Sequence, residues 1–140
     1  MNHLLLKDFP LIATDKIRYS DTDRQGHVNN AVFATFLETA RVEFLLTGDH
    51  NILENDASFV IAGLHLNFIA EITWPGSVSI GTGILKIGNS SITLYQQIYQ
   101  EEICVATAET VIVQVKNGQG LPLSSQAKNT LNQWMLPKTD

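Results

Sequence analysis

The stretch Arg18-Tyr19-Ser20-Asp21-Thr22-Asp23-Arg24-Gln25-Gly26-His27-Val28-Asn29-Asn30, running straight on into Ala31-Val32-Phe33-Ala34-Thr35-Phe36-Leu37-Glu38-Thr39-Ala40-Arg41, decides how this chain is read. Charged, amide and imidazole side chains crowd a glycine turn just ahead of an apolar helix pattern. Phe33, Phe36, Leu37, Ala40 and Phe44 recur at the spacing of one helical stripe. That predicts a helix from Asn30 to Thr47, with Asn29 or Asn30 as N-cap and Gly48 as stop. Glu38 and Arg41 stand three apart and are expected to pair on its flank. Val32, Leu45 and Leu46 widen the apolar face, so much of the helix must be covered.

Outward from this helix the pattern changes to strands. Ala13 to Tyr19 reads as a first strand, after an arm over residues 1–11 that ends near Pro10. Ser58 to Ile72, Ser77 to Ile87, Ile92 to Glu101 and Ile103 to Lys116 follow, separated by Trp74-Pro75-Gly76, Gly88-Asn89-Ser90-Ser91 and Glu101-Glu102 turns, with Asn117-Gly118-Gln119-Gly120 closing the series. Gly81 and Gly83 lie opposite branched residues, a sign of close approach from another element. A short helix is expected over Ser124 to Met135. The economical arrangement is an α+β fold, an antiparallel five-stranded sheet curled round one long helix. The Phe59 to Phe68 run is too apolar for a bare sheet edge, so it is expected to pair with a second copy.

The 140 residues are read as one domain, 1–140. With 44% hydrophobic and 16% charged residues the chain has the means to build a core, and disorder is not expected. A net charge of -5 argues against non-specific nucleic-acid binding. One cysteine, Cys104, allows no internal disulfide. No apolar run approaches the roughly 20 residues of a membrane span, and the N-terminal residues carry no leader pattern. A soluble, cytoplasmic protein is the default expectation.

The quoted stretch resembles the hotdog-fold acyl-CoA thioesterases of the 4-hydroxybenzoyl-CoA thioesterase type. The matching residues are Arg18 to Asp23, Gly26 to Asn30 and Phe36 to Arg41, with the Trp74-Pro75-Gly76 and Ile87 to Ser91 turns in support. The resemblance implies a sheet wrapped round a central helix, a homodimer sometimes doubled to a homotetramer, and active sites at the dimer interface. It also implies hydrolysis of acyl-CoA to a carboxylic acid and coenzyme A. Asp23 takes the place of the catalytic carboxylate, and Asn30, seven residues on, that of the backbone N–H donor to the thioester oxygen. Several members carry Tyr or His where this chain has Asn30, and an aliphatic residue where it has His27.

The chemistry fits the residue types. Thioester hydrolysis needs an attacking oxygen and a stabilised oxyanion, and a helix N-terminus offers unpaired N–H groups and partial positive charge. Asp23 can act as general base or as nucleophile. Gly26 supplies backbone freedom, and His27 is a candidate to orient Asp23, bind water or touch the acyl group. Asp21 is read as holding the turn. Tyr19, Asn29, Phe68, Ser90 and Ser91 are the candidate substrate contacts, Ser90 and Ser91 toward the coenzyme A phosphates. Phe33 and Phe36 are either pocket or core, and His65 reads as a satisfied core histidine. No cofactor is expected, and no metal-ligand spacing is present. An acyl-carrier-protein thioesterase and a non-catalytic acyl-thioester binder remain alternatives.

Overall fold

The computed structural model describes residues 4–47 and 52–137. Gly48, expected to stop the helix, lies outside them. The sheet has strands β1 (Leu11–Ile17), β2 (Ser58–Phe68), β3 (Gly76–Ile87), β4 (Ser91–Gln100), β5 (Ile103–Lys116) and β6 (Gln119–Gly120). Its order is β1-β3-β4-β5-β2, all antiparallel, with β6 added to β5. Helix α1 (Asn30–Leu46) lies on one face, and α2 (Ser125–Asn132) joins the same core at the far end. The expected α+β arrangement holds, with the small β6 as a sixth strand. Asn117 and Gly118, both at positive φ, make the two-residue turn that creates it.

The predicted stripe of α1 is the buried one. Phe33, Phe36, Leu37 and Ala40 pack on Ile17, Val78, Ile80 and Ile98, and Phe44 and Leu45 continue onto Ile84, Ile92, Leu94 and Ile112. Burying each large side chain contributes roughly 1.5–3 kcal/mol, so this face fixes the helix on the sheet. Phe36 belongs wholly to this core. Leu46 stays exposed. Arg41 is also buried: its Nη1 donates to Gln96 Oε1 at 3.4 Å, while Gln96 Nε2 donates to the Leu37 carbonyl and to Thr82 Oγ1. Burial lowers the Arg41 pKa from its ordinary value, partly offset by Glu38. The expected surface ion pair between Glu38 and Arg41 is therefore replaced by an inward hydrogen bond, with Glu38 acting at longer range.

Several boundaries differ from the sequence reading, among them the terminal helix, expected over Ser124 to Met135, which ends at Asn132. The first strand ends at Ile17, because Tyr19–Asp21 closes a 3-10 turn capped by Asp21. The second ends at Phe68, because the Ile69 and Ala70 N–H groups both turn to the Val105 carbonyl. The arm reading over residues 1–11 also shortens: Leu6–Asp8 forms a 3-10 turn, Phe9 is buried, and β1 begins at Leu11. His65 is exposed, not core, and bonds Asn67 Oδ1 at 3.2 Å.

The glycine signal on β3 has a concrete cause. On the face away from α1, a Cβ at Gly81 would meet Phe9 at 2.6 Å, and one at Gly83 would meet Leu136 at 2.4 Å. These two side chains, with Tyr95, form a small outer cluster. Thus β4, which alternates in sequence, is buried on both faces along most of its length. We predict that Gly83→Ala lowers stability by about 1–3 kcal/mol, read from the denaturant midpoint. Adding Leu136→Ala should cost less than the sum of the two single changes, and full additivity would contradict the contact.

Candidate active site

The turn before α1 is built by carboxylates bonding to backbone. Asp21 is buried; its Oδ2 accepts the Arg18 N–H at 2.8 Å and its Oδ1 the Arg18 guanidinium at 3.2 Å. Its carbonyl accepts the Asn29 N–H at 2.9 Å. Asp21 thus ties the end of β1 to the start of α1, the holding role read from the sequence. Asp23 behaves differently. Its Oδ1 accepts the N–H groups of Gln25 at 2.8 Å and His27 at 3.2 Å, while Oδ2 makes no hydrogen bond among the described residues. One oxygen holds the carboxylate in place and the other is free. Gly26 completes the turn at φ +81°, a conformation that L side chains rarely adopt.

A second segment braces the turn. The Val28 N–H donates to the Ile72 carbonyl at 2.8 Å, the Trp74 N–H to the Gly26 carbonyl at 3.3 Å, and His27 bridges Thr73. Gln100 clamps this segment from β4, donating Nε2 to the Thr73 carbonyl at 2.7 Å and accepting the Thr73 N–H at 3.0 Å. Across this short ladder, His27 Nε2 lies 3.1 Å from Glu71 Oε2. Neither Glu71 nor Gln100 was legible as a site residue. Both stand in ordinary strand-like sequence far along the chain from the turn.

Helix α1 begins at Asn30. The Asn29 side chain accepts the Ala31 N–H at 3.0 Å, so Asn29 is the N-cap. The Asn30 N–H has no acceptor among the described residues. It is the kind of first-turn donor that a helix leaves open.

These features converge on one groove of about 300 Å³, lined by Asp23, Gln25, His27, Val28, Asn30, Phe33, Phe68, Ile69, Ala70 and Glu71. Phe33 and Phe68 meet edge to face, 5.0 Å between centroids, and form its apolar wall. Of the residues singled out from the sequence, Asp23, His27, Asn30 and Phe68 are brought together. Tyr19 is not a lining residue; its exposed ring meets Trp74 edge-on at 5.2 Å. Gly26 and Asn29 shape the turn from behind. Ser90 and Ser91 sit in the β3–β4 hairpin at the opposite end of the sheet. Among the described residues, no group of three His, Cys, Asp or Glu could hold a metal ion.

The thioesterase-like superfamily matches the chain over residues 17–136. The chain belongs to that superfamily. The curled sheet round α1 is the hotdog fold. Acyl-CoA thioesterase YbgC of Helicobacter pylori is 31% identical over 86 residues, covering 60% of this chain and 63% of that protein. A thioesterase of Thermus thermophilus, solved in complex with coenzyme A and Zn, superposes with a TM-score of 0.79 at 24% identity, over 91% of this chain and 96% of that one. The PA5185 protein of Pseudomonas aeruginosa gives 0.84 at 19% identity, over 96% and 98%. At these identities the two structures establish the fold alone.

The two aspartates should separate cleanly. Asp21→Ala is expected to cost about 1–3 kcal/mol, since it removes a buried carboxylate that holds the partly buried Arg18 N–H and the Arg18 guanidinium. Asp23→Asn, at an exposed carboxylate, should leave the thermal midpoint within a degree or two, about 0.5 kcal/mol. Calorimetry on both variants checks the contrast, and equal losses would refute it.

Proposed function

We propose that this superfamily member hydrolyses acyl-CoA thioesters, with Asp23 as the attacking or activating carboxylate and the Asn30 N–H as oxyanion donor. The reading is supported by one groove lined both by Asp23, whose carboxylate has one free oxygen, and by Asn30, whose helix N-terminal N–H is unpartnered among the described residues, with apolar Phe33, Phe68 and Ile69 beside them. In the base route, Asp23 takes a proton from water. The water oxygen bonds to the carbonyl carbon, the Asn30 N–H and the helix dipole stabilise the oxyanion, and the C–S bond breaks. The thiolate then receives the proton. In the nucleophile route, an Asp23 oxygen bonds to the carbonyl carbon and the C–S bond breaks, releasing the thiolate and leaving a mixed anhydride. Water then opens the anhydride, giving the free acid and the Asp23 carboxylate, and a water proton passes to the thiolate. Coenzyme A as the thiol carrier is supported by the Helicobacter relative's name and by the ligand in the Thermus neighbour.

The same reading takes a homodimer. β2 ends the sheet, and Val60, Ile61, Leu64, Phe68 and Ile69 are exposed along and just beyond it. Such an edge invites strand pairing. Antiparallel pairing of β2 with its copy would bring the partner's Ser58 end to this chain's Phe68 end. Ser91 pairs with Val113, which pairs with Val60, so the partner's hairpin carrying Ser90 and Ser91 would travel to the same side as this chain's Asp23. That is the arrangement in which Ser90 and Ser91 can contact the coenzyme.

Free-thiol release across acetyl- to palmitoyl-CoA, aromatic thioesters and matched carrier-protein thioesters tests the reaction. Asp23→Asn should lower kcat roughly 10²–10⁴-fold; wild-type turnover in that variant would sink the assignment. Tight binding without thiol release would favour a non-catalytic binder, and preference for carrier-protein thioesters would move the substrate class. Asn30→Pro is a sharper probe. Proline is accommodated at the first helical position, and Asn29 already has the extended conformation (φ -60°, ψ 139°) that precedes it. The substitution deletes only the side-chain amide and the N–H. We expect a loss on the order of 10²–10³ in kcat for Asn30→Pro and near-normal turnover for Asn30→Ala; equal activities would remove the N–H from the mechanism. Leu64→Glu should yield monomers in sedimentation, with thioester turnover lost alongside.

A further inference from the structure

We propose that Glu71 is a positioning residue: it fixes the tautomer of His27, so that Nδ1 faces the reaction as an acceptor and holds the hydrolytic water. This rests on the reading of the groove as a thioester-hydrolysis site. His27 Nε2 and Glu71 Oε2 are 3.1 Å apart, and a carboxylate is acceptor-only when ionised. A neutral His27 bonded this way carries its proton on Nε2, which leaves the Nδ1 lone pair open. No described residue bonds Nδ1.

The backbone makes this pairing specific. His27 bridges Thr73 directly, and Val28 and Gly26 bond Ile72 and Trp74 on either side. Glu71 is two residues from Thr73, on the same side of the ladder, which is the diagonal neighbour of His27. Gln100 clamps Thr73 by both its N–H and its carbonyl, so the segment carrying Glu71 is itself held. Glu71, His27 and Asp23 all line the same groove.

A chemical need matches this geometry. An attacking water has two O–H groups, and its lone pair aims at the carbonyl only when both are directed elsewhere. Asp23 Oδ2 is free to accept one, the proton removed in the base route. His27 Nδ1 accepts the other, which stays on oxygen. In the nucleophile route the same ring orients the water that opens the anhydride. Among the described residues, the charged groups lining the groove with His27 are Asp23 on its own turn and Glu71 on the facing segment; of these Glu71 makes the contact to its ring.

The test uses the full-length protein and two independent readouts. In ¹⁵N NMR of the histidine ring, the wild type and Glu71→Gln, whose amide oxygen still accepts, should show the Nε2–H tautomer; Glu71→Ala should show a mixture. In kinetics, Glu71→Ala should lower kcat about 10-fold with little change in KM, and Glu71→Gln should stay within about threefold. In a His27→Ala background, Glu71→Ala should have no further effect, since the residue acts through the ring. A predominantly Nδ1–H tautomer in the wild type overturns the proposal, and so does an undiminished 10-fold loss in the His27→Ala background. The NMR readout needs no turnover. Failure of Asp23 as the catalytic carboxylate would therefore leave the Glu71 result standing, and failure of the Glu71 result would leave Asp23 untouched.

Discussion

Everything in the groove depends on the short backbone ladder between residues 26–28 and 72–74. The Val28 N–H reaches the Ile72 carbonyl at 2.8 Å, and Ile72 is itself fully buried under α1. The start of the helix is thereby referenced to the sheet through a hydrogen bond and an apolar anchor at one residue. The packed face of α1 holds the helix body on the sheet and Phe33 meets Phe68, while the ladder adds a backbone reference for the turn that carries Asp23 and His27. Such precision matters because a catalytic constellation displaced by about 1 Å loses much of its rate. The ladder also explains why β2 stops short. Its chain leaves the sheet at Phe68, turns on the Val105 carbonyl and becomes the brace for the turn.

The division of labour between the two aspartates is another consequence. Asp21 saturates its oxygens on Arg18 and is buried; Asp23 spends one oxygen on two backbone N–H groups and keeps the other. A carboxylate with both oxygens committed cannot take a proton from water without losing structure. One with neither committed would wander. Asp23 has the intermediate arrangement, and the geometry distinguishes the pair more sharply than their positions in an Asp-x-Asp sequence can.

Much of this was legible in the sequence wherever a local period carries the information. The stripe of α1 and the alternation of β3, β4 and β5 follow from 3.6- and 2-residue repeats, and Gly81 and Gly83 signalled a close approach before Phe9 and Leu136 identified it. Legibility failed where a partner is remote. Arg41 reads as a flank residue beside Glu38 because its true partner, Gln96, is a polar residue hidden on the concave face of β4. His65 reads as core because β2 is apolar, yet β2 is an edge strand and its outer face is bare. Glu71 carries no signal of its own; only the ladder gives it His27 as a neighbour. The turn that carries Asp23 and the helix start at Asn30 were readable because a helix start, its cap and its preceding turn are all local.

The groove and the sheet edge pose one physical problem. Asp23 and Asn30 are both exposed in the isolated chain, and an N–H donor in a water-filled setting stabilises an oxyanion far less than one in a low-dielectric site. The exposed apolar side chains Phe68 and Ile69, at the end of β2 and just beyond it, line that same groove, and Leu64 is exposed further along the same edge strand. Any body that covers the edge also narrows the groove and removes water from it. On the proposed dimer a second β2 performs both tasks with the same contact. Pairing then serves stability and catalysis together, which accounts for an edge this apolar being carried beside a site this polar.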